Sequence, residues 1–247
     1  MDLSYICAYF YRNVTALMET TKIAKENVAS APGRVPVWDG PTRLFHWLLV
    51  VLVIFSFTTG NIGGNAMRYH EWSGFAILAL LLFRLAWGVV GSRESRFVTF
   101  VRGPAAVFRY ATNLVRRDST PFFGHNPLGG WSIIAMLFAL LVQAVTGLFA
   151  NDDIITEGPL FEQVSKATSD GLTRIHRLNA EVIIALVSIH VLAVFFYFFF
   201  KHENLVKPMI TGVKEWRGTV PQPETVRSWI AALVAGLAAL AVYLLVR

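Results

Sequence analysis

The chain has 247 residues, 55% hydrophobic and only 15% charged, against about 25% charged in soluble domains, which argues against a water-soluble globular domain. Its net charge of +6 suits the cytoplasmic loops of a membrane protein rather than nucleic acid, because basic residues collect on that side of the bilayer. The single cysteine, Cys7, excludes an internal disulfide, a Cys-ligated zinc site, an iron–sulfur cluster held within the chain and, with no C-x-x-C-H, covalent haem attachment.

Residues 1–36 read as a polar-to-mixed extension. Asp2 and Glu19 interrupt it and no apolar stretch follows a basic start, so no secretory signal is expected and insertion falls to the first span. Five apolar runs then approach or exceed the roughly 18–20 residues that cross a hydrocarbon core. They cover Arg43–Gly60, Tyr69–Gly91, Gly130–Ala150, Arg174–Phe200 and Val226–Val246. The last is a plain Ala/Leu/Val helix with no ionisable residue inside it.

The loops set the orientation. Arg93, Arg96, Arg102, Arg109, Arg116 and Arg117 lie between the second and third spans, and Lys201, Lys207, Lys214 and Arg217 follow the fourth. The loop after the third span is acidic, with Asp152, Asp153, Glu157, Glu162 and Asp170 against Lys166. This predicts a multi-pass protein of the bacterial inner membrane, its N-terminus and basic loops in the cytoplasm and its acidic loop outside. Arg247 at the outer end is a minor departure. Arg102, Arg109 and Arg116 recur every seven residues among apolar ones, the pattern of a helix lying flat on the lipid surface.

Four of the six histidines sit inside or at the edge of these spans: His46, His70, His176 and His190. Ionisable side chains are costly in a bilayer and mark functional sites. His46 is near the cytoplasmic start of the first span, and His70 near the outer start of the second. His176 is near the outer start of the fourth, with His190 14 residues later (190 − 176), about 21 Å deeper and on the same helix face. The levels match in pairs, His46 with His190 inside and His70 with His176 outside. Two histidines per level, without acid or thiolate, suit bis-histidine haem iron; zinc wants four ligands at one point. Gly60, 14 residues after His46, and Gly74, one turn after His70, leave room for a porphyrin against the backbone or for helix packing. Arg84, 14 residues after His70, either pairs a haem propionate at the inner level or snorkels to the interface. His125 and His202 read as interfacial residues outside the ligand set, able to carry protons beside a quinone.

These residues carry a resemblance. Val37-Trp38-Asp39 with Arg43-Leu44-Phe45-His46-Trp47, His70 with Gly74 and Arg84, Gly124-His125-Asn126-Pro127-Leu128-Gly129, Gly158-Pro159-Leu160, the His176/His190 pair and the stretch Glu203–Gly212 are similar to motifs of the bacterial cytochrome b561 family. Members are di-haem membrane cytochromes, and related chains serve as cytochrome b subunits of nickel–iron hydrogenases and formate dehydrogenases. The resemblance covers about Val37 to Gly212. It implies a four-helix transmembrane haem-binding bundle, an all-α membrane protein, that passes electrons between the quinone pool and a redox partner. The extension (1–36) and the fifth helix (218–247) flank the di-haem core (37–217).

Three functions compete. The first is transmembrane electron transfer through two haems b, with a periplasmic c-type cytochrome or a dehydrogenase or hydrogenase subunit as partner; the acidic outer loop suits a basic cytochrome. The second is a stand-alone superoxide:ubiquinone oxidoreductase, which wants an electropositive outer entrance, and Arg68, Arg174 and Arg177 stand beside His70 and His176. The third is a non-redox anchor or transporter. Lipid is the surround in each, and a homodimer is left open.

Overall fold

A computed structural model describes residues 33–116, 122–154, 156–216, 224 and 226–247. Cys7, Asp2, Glu19, the rest of the extension before residue 33, Arg117 and Arg217 lie outside the described residues. In chain order the elements are β1 (Gly33–Pro36), α1 (Gly40–Ile62), α2 (Met67–Val90), α3 (Phe97–Phe100), α4 (Pro104–Thr112), α5 (Pro127–Gly147), α6 (Lys166–Phe199), α7 (Val206–Thr211), β2 (Val213–Trp216) and α8 (Ser228–Val246). Five of them, α1, α2, α5, α6 and α8, are long and apolar enough to span a membrane. The protein is therefore an all-α membrane bundle with a fifth, C-terminal span.

Capping residues decide where the spans begin. Asp39 accepts from the Thr42 amide at 2.7 Å with Pro41 in the first turn, and Asn126 accepts from Gly129 at 2.7 Å with Pro127 at the start. Ser165 caps α6 by accepting from Thr168 at 3.2 Å. Each satisfies an amide that the first turn leaves without a partner. As a result α6 starts eight residues before the expected Arg174. The apolar run marks where hydrocarbon begins; a helix, whose backbone bonds are internal, continues past it into water.

The helix α2 is the centre of the bundle. It packs against α1, α5 and α8, and its Leu81 and Trp87 are 1% exposed. The fifth span rests on it through the small residues Ala231 and Ala238 and through Val242. The helix α6 pairs with α5, yet along its 34 residues only Ser169 and Ile183 are buried. The remaining apolar face of α6 is open to lipid or to a prosthetic group.

The basic loop departs from expectation. No single helix runs from Arg102 to Arg116; Gly103 and Pro104 separate α3 from a nine-residue α4. The hydroxyl of Tyr110 on α4 is hydrogen-bonded to Tyr197 near the end of α6, and Asn126 donates to the same Tyr197 oxygen at 2.8 Å. Phe108, 73% exposed, faces outward, so α4 is both an interfacial helix and a strut.

A two-stranded sheet closes the His46 end. β1 pairs antiparallel with β2, Val35 opposite Lys214. The Gly212 carbonyl accepts from Val37 and Trp38 at 2.8 and 3.2 Å, and Arg43 and Trp47 donate to the carbonyls of Ile210 and Met209. Beside it, Asp39 ties α1 to the end of α2. Its carboxylate accepts from Trp87 Nε1 and Ser95 Oγ, both at 3.0 Å, and from Ser92. Burial pushes the Asp39 pKa up, but bonds from Ser92, Thr42 and Trp87 outweigh it and hold the group below its usual range.

Asp39→Ala removes the cap and strands three side-chain donors, and it should cost about 2–4 kcal/mol. Asp39→Asn keeps one carbonyl oxygen as acceptor and should cost less. Thermal unfolding of the detergent-solubilised protein reads both, and a midpoint for Asp39→Ala equal to wild type would remove Asp39 from this role.

Candidate functional site

All four span histidines are half-buried. On α2, His70 Nδ1 lies 2.8 Å from the Ser56 carbonyl of α1 and 3.2 Å from the Ser56 hydroxyl. On α6, His176 Nδ1 lies 2.9 Å from the Gln143 carbonyl of α5 and 3.3 Å from Thr146 Oγ1. A carbonyl has no proton to give, so both Nδ1 atoms are protonated donors, and each ring keeps its Nε2 lone pair free. The two imidazoles face each other with centroids 6.0 Å apart and planes at 83°. Metal–imidazole bonds run about 2 Å, so two rings on opposite sides of one metal ion have centroids about 6 Å apart.

The opposite level is built differently. His46 on α1 and His190 on α6 lie within electrostatic reach of each other. His46 meets Trp47 edge-on at 4.9 Å, and its Nδ1 is buried with no hydrogen-bond partner. A buried polar atom left alone is costly and marks a place where a ligand is expected. The structure thus brings His70 to His176 and His46 to His190. Among the described residues no three His, Cys, Asp or Glu side chains converge as a metal cluster. The donor set fits haem b: imidazoles in pairs, with no acid or thiolate among them.

The flanking residues separate into two groups. Gly60 lies directly under His70: a Cβ there would sit 2.7 Å from Nδ1. Gly147 does the same for His176, at 3.0 Å from Cε1. Gly74 has open space above it and touches neither ring. Gly147, Ser56, Gln143 and the threonines beside them escaped the sequence reading. The signal was present as a repeated Thr-Gly pair, Thr59-Gly60 and Thr146-Gly147, near the ends of α1 and α5.

Arg84 does not snorkel. It is 3% exposed, its guanidinium stacks over Phe97 at 4.8 Å, it interacts favourably with Asp39, and its Nη1 lacks a partner. His125 is no free interfacial group either. It packs between Trp38 and Phe100, ring centroids 4.5 and 4.7 Å away, with Nδ1 covered and unpartnered. Burial first, and then the Arg84 charge, push its pKa down to about 3. His202 is exposed, with φ of 54°. At the other end, Arg174 and Arg177 line a surface cleft with Asn151, Asp153 and Asp170.

The sequence model of the prokaryotic cytochrome b561 family matches residues 37–212. The probable Ni/Fe-hydrogenase 1 B-type cytochrome subunit of Escherichia coli (strain K12) is 26% identical over 136 residues, 45% of this chain and 57% of that protein. The probable Ni/Fe-hydrogenase B-type cytochrome subunit of Rhizobium leguminosarum bv. viciae is 25% identical over 214 residues, 72% of this chain and 87% of that one. Its counterpart in Cupriavidus necator is 24% identical over 221 residues, 73% of this chain and 87% of that one. The chain thus spans little more than half the length of the E. coli relative. No solved structure matches.

The neutral burial of His125 has a sign in pH. Its pKa is about 3 folded and near 6.5 unfolded, so between those values the unfolded chain binds the extra proton and stability falls as pH falls. His125→Gln should remove about 1.4 kcal/mol per pH unit of that slope between about pH 6 and 4. Denaturation midpoints of the two proteins across this window measure it; parallel curves would mean that His125 titrates normally.

Proposed function

The chain belongs to the prokaryotic cytochrome b561 family, and on that basis we propose that it carries electrons across the membrane through two haems b, between the quinone pool and a redox partner. The observation that carries this reading is the approach of the His70 and His176 rings to 6.0 Å, with His46 on α1 and His190 on α6 within electrostatic reach of each other. Bound haem supplies a one-electron iron couple at each level. The chain's own part is to present two imidazoles per level and to exclude water between α1, α2, α5 and α6. Arg84, buried with a free Nη1, is suited to a propionate at the His46 level. Gly60 and Gly147 keep the His70 and His176 rings where they are.

The di-haem core occupies residues 37–217, with the fifth span at 218–247 as an added face for a partner. The loop charges support an inner-membrane protein with the N-terminus in the cytoplasm and quinone beside the inner pair. The relatives named as hydrogenase cytochrome subunits favour a hydrogenase or dehydrogenase subunit as the outer partner, ahead of a c-type cytochrome. A superoxide oxidoreductase is less well supported. Arg174 and Arg177 would attract an anion, but Asp153 and Asp170 line the same cleft and offset them.

Pyridine haemochrome analysis of the pure protein should give two haems b per chain. His46→Ala and His190→Ala should each remove one haem, and His70→Ala and His176→Ala the other. Reconstituted in vesicles, the wild-type protein should pass electrons from an impermeant outer reductant to an oxidant trapped inside. A protein with both haems and no such transfer would overturn the transmembrane route.

A further inference from the structure

The α1–α2 and α5–α6 hairpins share one local device. In α1 the Ser56 carbonyl accepts from His70 Nδ1, and the Thr59 hydroxyl bonds back to the carbonyls of Phe55 and Ser56 at 2.8 and 3.1 Å. Gly60, four residues after the acceptor, leaves space for the ring. In α5 the Gln143 carbonyl accepts from His176 Nδ1, and the Thr146 hydroxyl bonds back to the carbonyls of Val142 and Gln143 at 2.7 and 3.2 Å. Gly147, again four residues on, makes the room. Acceptor, threonine at the third residue and glycine at the fourth thus recur on two helices, each beside the histidine of the helix that follows it. Among the described residues no such acceptor reaches His46, whose Nδ1 is orphaned, and none reaches His190.

We propose that these two carbonyls, reached by the rings across Gly60 and Gly147 and shared with the hydroxyls of Thr59 and Thr146, make His70 and His176 the stronger electron donors of the four histidines and give their level the haem of lower midpoint potential. The inference rests on the two-haem reading above. A ring N–H donating to a carbonyl leaves the opposite nitrogen more basic. A more basic axial ligand favours the oxidised iron, and hydrogen bonding around the ligands is one of the levers that set haem potential. Both bonds lie within the bundle, where low dielectric strengthens them. Nearby charges pull in two directions. Arg68, Arg174 and Arg177 are exposed and screened by solvent, whereas Glu71 beside His70 is half-buried and adds to the effect. At the other level the buried guanidinium of Arg84 is offset by the nearby carboxylate of Asp39, so the hydrogen bonds at His70 and His176 carry the difference.

The test is a redox titration of the purified full-length protein, followed at the haem α-band, with haem counted in every variant. The haem retained by His46→Ala should have the lower midpoint, and the haem retained by His70→Ala the higher. Gly60→Ala and Gly147→Ala press on the rings and weaken the Nδ1 bonds, so each should raise the lower midpoint and leave the higher one unmoved. Thr59→Val removes a competing donor from the Ser56 carbonyl without adding bulk at His70. It should shift the lower midpoint downward, which keeps the test in force where a glycine variant does not fold. A higher midpoint for the haem left in His46→Ala would overturn the proposal. So would glycine and threonine variants that bind both haems with both midpoints unchanged. Loss of the same haem by His46→Ala and His70→Ala would instead overturn the pairing, and the proposal with it.

Discussion

Hydrocarbon offers no partner to a polar group, and the architecture follows from that scarcity. Backbone amides and carbonyls are closed within helices, since only helices and closed barrels satisfy them in a bilayer. The polar side chains admitted to the spans find acceptors on their own helix, as Thr58, Thr59, Ser73 and Thr146 do, or on a neighbouring one. Asn179 of α6 donates to the Ala139 carbonyl and the Gln143 side chain of α5, both at 2.8 Å, and His70 and His176 use carbonyls one helix away. Among the described residues, Arg43 Nε, His46 Nδ1, Arg84 Nη1, His125 Nδ1 and Trp216 Nε1 are the side-chain groups buried without a partner.

The helix α2 bears most of this load. It is the one span packed against three others, and Asp39 anchors its far end by accepting from Trp87, Ser92 and Ser95 while capping α1. With α2 fixed to α1, the depth of His70 is fixed relative to His46. The helix α6 stands apart, joined along α5, with most of its apolar surface uncovered. That arrangement leaves one long face of α6, carrying both His176 and His190, opposed to the rigid α1–α2 pair.

The features that cost the most free energy were the ones readable in the sequence. Twenty apolar residues have few uses besides a span, so all five helices were visible, as were four imidazoles placed where imidazoles are expensive. Depth followed from counting, because a helix rises evenly. Features set by capping or by local hydrogen bonds were not visible. The start of α6 at Lys166 depends on Ser165, not on hydropathy. The β1–β2 pairing joins residues 33–36 to 213–216 through strands too short to show alternation. The burial of His125 depends on Trp38 and Phe100, which are distant in sequence. Gly74 and Gly60 looked alike from the sequence, yet only Gly60 lies under a ring; a glycine's purpose is set by its neighbour across the helix gap.

The unequal hydrogen bonding of the two levels bears on the direction of flow. On the proposed route an electron moves from the His70/His176 level to the His46/His190 level, inward against a potential that is negative inside. A full crossing costs about 2.3 kcal/mol per 100 mV of that potential. Two identical sites would leave this cost uncompensated, and the electron would rest at the outer level. On the proposal above, the lower midpoint of the His70/His176 level would tilt the intrinsic potentials the other way and offset the field. The carbonyls of Ser56 and Gln143 act from the backbone, which side-chain substitution at those positions cannot remove. The levers left to variation are the threonine that shares each carbonyl and the glycine that admits each ring. A tilt built in this way survives most surface mutation and is lost through a single methyl group at Gly60 or Gly147.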